Sequence, residues 1–114
     1  MEAIVTKEFK FEAAHSLPHL PEGHKCRRLH GHSYRFEVCV KGPVDERGFV
    51  IDYADIDRAV RPIVDSLDHR NLDEIFEFKT TAENIARWLL ETIPLDVYRI
   101  VFRETASTSV IVQK

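Results

Sequence analysis

With 114 residues, 44% of them hydrophobic and 31% charged, the chain fits one globular domain with a modest core. A formal net charge of −3 and no basic run argue against nucleic acid as the main partner. No apolar stretch is long enough to cross a membrane, and the first residues lack the basic-then-apolar pattern of a secretion signal, so the expected setting is cytoplasmic.

Residues 3–14 alternate as a strand, with Val5, Phe9 and Phe11 on the core face and His15 in step with them. Residues 17–25 carry two prolines and a glycine and read as a loop. A second strand is expected over 33–42, with Tyr34, Phe36, Val38 and Val40 on one side. After a turn over 43–48, residues 49–51 form a short extended piece able to pair with that strand as a hairpin.

Asp52 is the expected cap of a first helix, with Asp55 in its first turn where the helix dipole favours an acid. Ile56, Val60, Ile63, Val64 and Leu67 follow at spacings of three and four and make one apolar stripe. Pro62 interrupts the backbone bonding and should kink the helix without breaking it. Residues 68–72 end it. A second helix is expected from Thr80, which with Glu83 matches a capping box, and Pro94 stops it. Its stripe is Ala82, Ile85, Ala86, Leu89 and Ile93. Two last strands are expected over 97–104 and 109–112. The order predicts an α+β fold: an antiparallel four-stranded sheet with both helices on one face. Apolar residues on both strand faces leave the other face uncovered, so an oligomer is expected.

Of the two cysteines, neither lies in a Cys-x-x-Cys pair, and in a reducing compartment no disulfide is expected. Cys39 reads as strand packing. Cys26 lies among Lys25, Arg27 and Arg28, and positive neighbours favour a reactive thiolate.

The densest chemical signal is His30-Gly31-His32. Two residues apart on an extended backbone, both imidazoles face the same way, and His15 ends an earlier strand with the same parity. Gly31 permits close packing or an unusual backbone angle between them. Two neighbouring strands could thus deliver three imidazoles to one point, the open tripod of a catalytic zinc site. From spacing alone the ordinary alternative, histidines with no ligand, stays open. His19 and His24 read as surface-loop residues.

Phe11-Glu12-Ala13-Ala14-His15, Pro21-Glu22-Gly23-His24-Lys25-Cys26, His30-Gly31-His32-Ser33, Leu67-Asp68-His69 and Glu104-Thr105 together resemble the 6-pyruvoyl-tetrahydropterin synthase family, in the expected order over residues 9–105. The cysteine four residues before His-Gly-His resembles the bacterial 6-carboxy-tetrahydropterin synthase branch, which acts on 7,8-dihydroneopterin triphosphate on the route to queuosine. The resemblance implies a tunnelling-type fold whose subunits join edge to edge into a barrel. Two trimeric rings then stack as a hexamer with active sites between subunits. It implies Zn²⁺ on His15, His30 and His32, Cys26 as the base, Asp68 and His69 as a proton relay, and Glu104 gripping the pterin and sharing in the relay. Thr81 resembles a pterin-contacting threonine, although a helix-cap role explains it equally well.

Adjacent residues seldom orient each other's rings, so a partner for Asp68 or His69 from another subunit is expected. A plain helix end with an exposed histidine is the alternative. For Glu104 the alternative is a salt bridge to Arg103 or Arg99. Lys25, Arg27, Arg28 and Arg70 are candidates for the triphosphate, though a solvated charged loop explains them as well. Arg28 departs from the small residue common there in the bacterial branch. A pyruvoyl-forming or side-chain-cleaving enzyme on the same scaffold is the near alternative, and a non-catalytic zinc-binding oligomer the distant one. No His-Glu-x-x-His run supports a zinc hydrolase.

Overall fold

The computed structural model describes residues 1–114. Strands β1 (Glu2–His15) and β2 (His30–Pro43) pair antiparallel along their whole length, from Glu2 opposite Pro43 to His15 opposite His30. This long ladder makes the molecule 57 × 24 × 22 Å. Residues 49–51 form no strand and do not pair with β2. Asp45 instead accepts the Arg47 and Phe49 amides and closes a tight turn there.

Helix α1 (Tyr53–Leu67) is capped by Asp52, whose side chain accepts the Ala54 amide. It runs unbroken through Pro62, because burial of Ile56, Val60, Val64 and Leu67 on one stripe outweighs the missing hydrogen bond. Two elements were not expected after it: β3 (Arg70–Asn71), paired parallel to β1 at Ala13 and Ala14, and the single turn α2 (Leu72–Ile75), capped by Asn71. Helix α3 (Ala82–Thr92) follows, then β4 (Arg99–Arg103) and β5 (Val110–Gln113).

The sheet has five strands in the order β3-β1-β2-β4-β5. It is mixed, which corrects the four-stranded antiparallel expectation. A two-residue strand carries no periodicity, so β3 leaves no trace in the pattern of apolar residues. The α+β class holds, with three helices instead of two.

The core lies between the inner face of the sheet and the helices. Phe9, Phe11, Tyr34, Phe36, Val38, Ile100 and Phe102 meet Ile56, Val60, Leu67, Ile85 and Leu89 there. Phe11 stacks on Tyr34 at 4.9 Å and Phe9 on Phe36 at 5.6 Å between ring centres, cross-strand pairs that fix the register. The outer face is mixed, with Ile4 and Ile111 exposed on it among charged side chains. Glu8, Lys10 and Glu12 stand on it, with Arg35 3.5 Å from Glu8. Cys39, buried within β2, has its thiol pushed above the ordinary range by desolvation, in keeping with a packing role.

Candidate metal centre

The hairpin register builds the site. His15 stands directly opposite His30, and Ala13 opposite His32, so both β2 histidines and His15 share the inner face at one end of the ladder. Ring centres lie 4.6 Å (His15–His30), 4.8 Å (His30–His32) and 5.1 Å (His15–His32) apart. One ring nitrogen from each falls within 4.8 Å of the others, a spacing suited to one metal ion. Gly31 needs no unusual angle: only Gly23 and Gly48 have positive φ among the glycines, and a Cβ at 31 would meet the Ala13 carbonyl at an ordinary 3.5 Å.

Two of the rings are oriented from behind. Nδ1–H of His15 donates to the Thr80 carbonyl at 2.8 Å, and Nδ1–H of His30 donates to the Arg28 carbonyl at 2.7 Å. Each bond leaves Nε2 as the free lone pair, the usual tautomer of a ligating histidine. Nε2 of His15 and of His32 are buried without a hydrogen-bond partner. Unpaired buried polar atoms are costly, and two in one place call for a missing partner. The residues fit a metal ion. Burial holds the His32 imidazole below its ordinary pKa against the opposing pull of Glu104, which favours the neutral, ligating form.

Glu104 follows β4 and brings Oε1 to 3.4 Å from Nε2 of His15 and 3.8 Å from Nε2 of His32. Oε1 has no hydrogen-bond donor of its own. The alternative pairing with Arg99 is not made, since that guanidinium donates to Gln113. Tyr34 lies beneath, its ring centre 5.3 Å from that of His32, and its buried hydroxyl also lacks a partner. Burial and the charges of Glu104 and Asp73 push this phenol above its ordinary range, so it keeps its proton.

His32 and Ser33 divide two grooves. One, of about 570 Å³, is lined by Glu12, His32, Ser33, His69, Arg70 and Asn71. The other, of about 400 Å³, is lined by His32, Ser33, Arg35, Glu104 and Thr105. Behind two lining residues of the first, Asp68 Oδ1 accepts the Glu12 amide at 2.9 Å, and Oδ2 lies 2.9 Å from Nδ1 of His69. Neighbouring residues thus do orient one another here, contrary to expectation. The reason is backbone conformation: His69 has φ of +60°, which turns its ring back on the preceding carboxylate, and its amide is anchored on the Glu12 carbonyl. The two hydrogen bonds hold the Asp68 carboxyl below the usual range.

Cys26 lines neither groove. It sits half-buried in a single 3₁₀ turn (Lys25–Arg27), its amide donating to Nδ1 of His24 at 3.1 Å, so His24 has a capping task that its loop setting did not suggest. Arg27, though exposed, folds back over the loop: Nη1 donates to the Pro18 and Leu20 carbonyls at 2.5 and 2.7 Å and staples it. Thr81, not Thr80, caps α3, its hydroxyl accepting the Asn84 amide at 3.2 Å. The expected capping box therefore lies one residue later without its glutamate. Thr80 is instead buried behind His15. Thr80, Tyr34, Glu12 and Ser33 were missed as site residues because each has an ordinary reading as cap, core or strand surface.

The family model for 6-pyruvoyl tetrahydropterin synthase matches residues 4–114. A Synechocystis protein named 6-carboxy-5,6,7,8-tetrahydropterin synthase is 45% identical over 93 residues, covering 75% of this chain and 70% of that one. A Pyrococcus furiosus dihydroneopterin monophosphate aldolase is 38% identical over 93 residues, covering 82% and 76%. The solved structure of Caenorhabditis elegans 6-pyruvoyl tetrahydropterin synthase superposes with a TM-score of 0.88 at 27% identity, over 100% of this chain and 96% of that one. A mixed sheet carrying a three-histidine cluster, on a chain matched along nearly its whole length, defines a pterin-synthase scaffold. The chain belongs to the 6-pyruvoyl tetrahydropterin synthase family.

Proposed function

We propose that this protein is a zinc-dependent 6-carboxy-5,6,7,8-tetrahydropterin synthase. It converts 7,8-dihydroneopterin triphosphate, with uptake of water, to 6-carboxy-tetrahydropterin, acetaldehyde and triphosphate. The observation that carries the reading is the pair of buried, unpartnered Nε2 atoms on His15 and His32 beside an equally unpartnered Glu104 oxygen. Such a site lacks both a cation and a hydrogen-bond donor, and a metal with a bound pterin supplies them. The named 6-carboxy relatives and the four-residue step from Cys26 to His30 support this branch.

His15, His30 and His32 would hold Zn²⁺, which as a Lewis acid acidifies a carbon-bound proton beside a side-chain oxygen of the substrate. Cys26 takes that proton, and its removal permits loss of triphosphate. Glu104 accepts two hydrogen bonds from the ring N–H and amino group of the pterin, a bidentate match. His69, held by Asp68, passes protons in the groove beside His32. Cys26 lies outside that groove within one chain, which suits a homohexamer of two trimeric rings whose sites form between subunits. Lys25, Arg28 and Arg70 remain cations for the triphosphate, and Arg27 serves the loop. The setting is cytoplasmic, on the queuosine route.

The aldolase relative supports a second reading, side-chain cleavage without the full synthase reaction. Incubation of zinc-loaded protein with 7,8-dihydroneopterin triphosphate, with products identified by mass, decides between them. Acetaldehyde with a 6-carboxy pterin is expected. A 6-pyruvoyl product, or a pterin that has lost its side chain without gaining a carboxylate, would overturn the assignment.

A further inference from the structure

Behind His15 lies a hydrogen-bonded chain that the reaction itself does not use. Thr80, 1% exposed, accepts the His15 Nδ1–H at its carbonyl, and its hydroxyl oxygen lies 3.3 Å from the same nitrogen. That hydroxyl donates to Oδ1 of Asp73 at 2.8 Å. The other Asp73 oxygen accepts both the backbone N–H and the hydroxyl of Ser16, at 2.8 and 2.7 Å. Asp73 is itself fixed, its amide donating to the Asn71 side chain at 3.0 Å. One carboxylate therefore grips the residue that follows His15 and the residue that aims its ring, although these come from segments more than sixty residues apart.

We infer that Asp73, acting through the Thr80 hydroxyl, is a positioning residue for the metal ligand His15. The inference rests on the metal-site reading and extends it outward. A ligating imidazole binds best when its second nitrogen is held, and loss of such an outer partner typically weakens metal affinity about 10–100-fold. Of the two rings anchored at Nδ1, His30 relies on the Arg28 carbonyl of a surface turn, whereas the anchor of His15 is locked by a charge. The segment from β3 to α3 thereby carries a second task besides packing: it fixes one corner of the tripod.

The test is the zinc dissociation constant by chelator competition, with the visible spectrum of the Co²⁺-loaded protein as a report on ligand geometry. Asp73→Asn and Thr80→Val should each weaken zinc about tenfold or more and alter the cobalt bands, and the double variant should be no worse than the poorer single one. Thr80→Ser, which keeps the hydroxyl, should bind as the parent does. Melting of the metal-free proteins separates loss of fold from loss of affinity. Should Asp73→Asn fail to fold, the Thr80→Val and Thr80→Ser pair decides alone. Zinc affinity within twofold of the parent in Thr80→Val, or an equal loss in Thr80→Ser, would overturn the role of this chain. A parent that binds no zinc would instead remove the metal-site reading beneath it.

Discussion

Asp68 and His69 form a hydrogen-bonded pair between chain neighbours, with Oδ2 of the aspartate 2.9 Å from Nδ1 of the histidine. The left-handed backbone at His69 makes this possible, and the Glu12 amide holds the second carboxylate oxygen. The hydrogen bond occupies Nδ1 and leaves Nε2 for the proposed relay. Asp68→Asn should lower kcat about a hundredfold with little change in KM, the scale of a lost proton-transfer group. A steady-state comparison checks this, and an unchanged kcat would contradict it.

The same pair predicts a pH effect on stability. The folded-state pKa of Asp68 is depressed, so its contribution is present above the unfolded carboxyl value of about 3.9 and is lost as pH falls through the lower, folded value. Melting temperatures of the parent and Asp68→Asn should therefore differ at neutral pH and converge in acid. A difference that persists or grows in strong acid would contradict the assignment.

The role proposed for Cys26 differs from that of the histidines. Cys26→Ala should keep its zinc and lose turnover about a hundredfold or more, as expected for a removed general base. Metal analysis beside a turnover assay checks both halves. Loss of zinc together with activity would make Cys26 a ligand instead.

Glu104→Gln keeps the shape of the proposed pterin anchor and gives up its charge. Removing a charge-assisted hydrogen bond of about 1.5–3 kcal/mol should raise KM or the product dissociation constant about tenfold or more. An unchanged KM with zinc bound would contradict the pterin-anchor role.

Thr81 reads as a pterin contact or a helix cap, and its hydroxyl accepts the Asn84 amide as a cap does. Thr81→Ala should cost about 1 kcal/mol of stability in urea unfolding, the usual value of an N-cap. An unaltered midpoint would remove the cap from the account.

What could be read in advance followed from periodicity. Strict alternation in Phe9, Phe11, Ala13 and His15, and again in His30, His32 and Tyr34, gave each strand's histidines a common parity, and the register of β1 with β2 then sets all three imidazoles on one face. The α1 stripe was equally plain, since spacings of three and four survive a proline. Elements too short for a period were not legible: β3 has two residues and α2 a single turn. The neighbouring of β1 and β2 was legible from the shared histidine parity, but the extra hairpin to residues 49–51 was not made: the second partner of β2 is β4, more than fifty residues on, a distance that local turn chemistry does not report. The capping box was misplaced because Thr80 and Thr81 are chemically alike. Which of them caps and which is buried depends on Asp73 and His15, contacts that form only in the fold.

The most direct test of the central claim is the zinc content and turnover of His30→Ala beside the parent. The tripod predicts about one zinc per parent chain, and neither stoichiometric zinc nor measurable turnover in the variant. A His30→Ala protein that keeps its full zinc and its activity would show that the metal is held elsewhere, and the site described here would not be the catalytic centre.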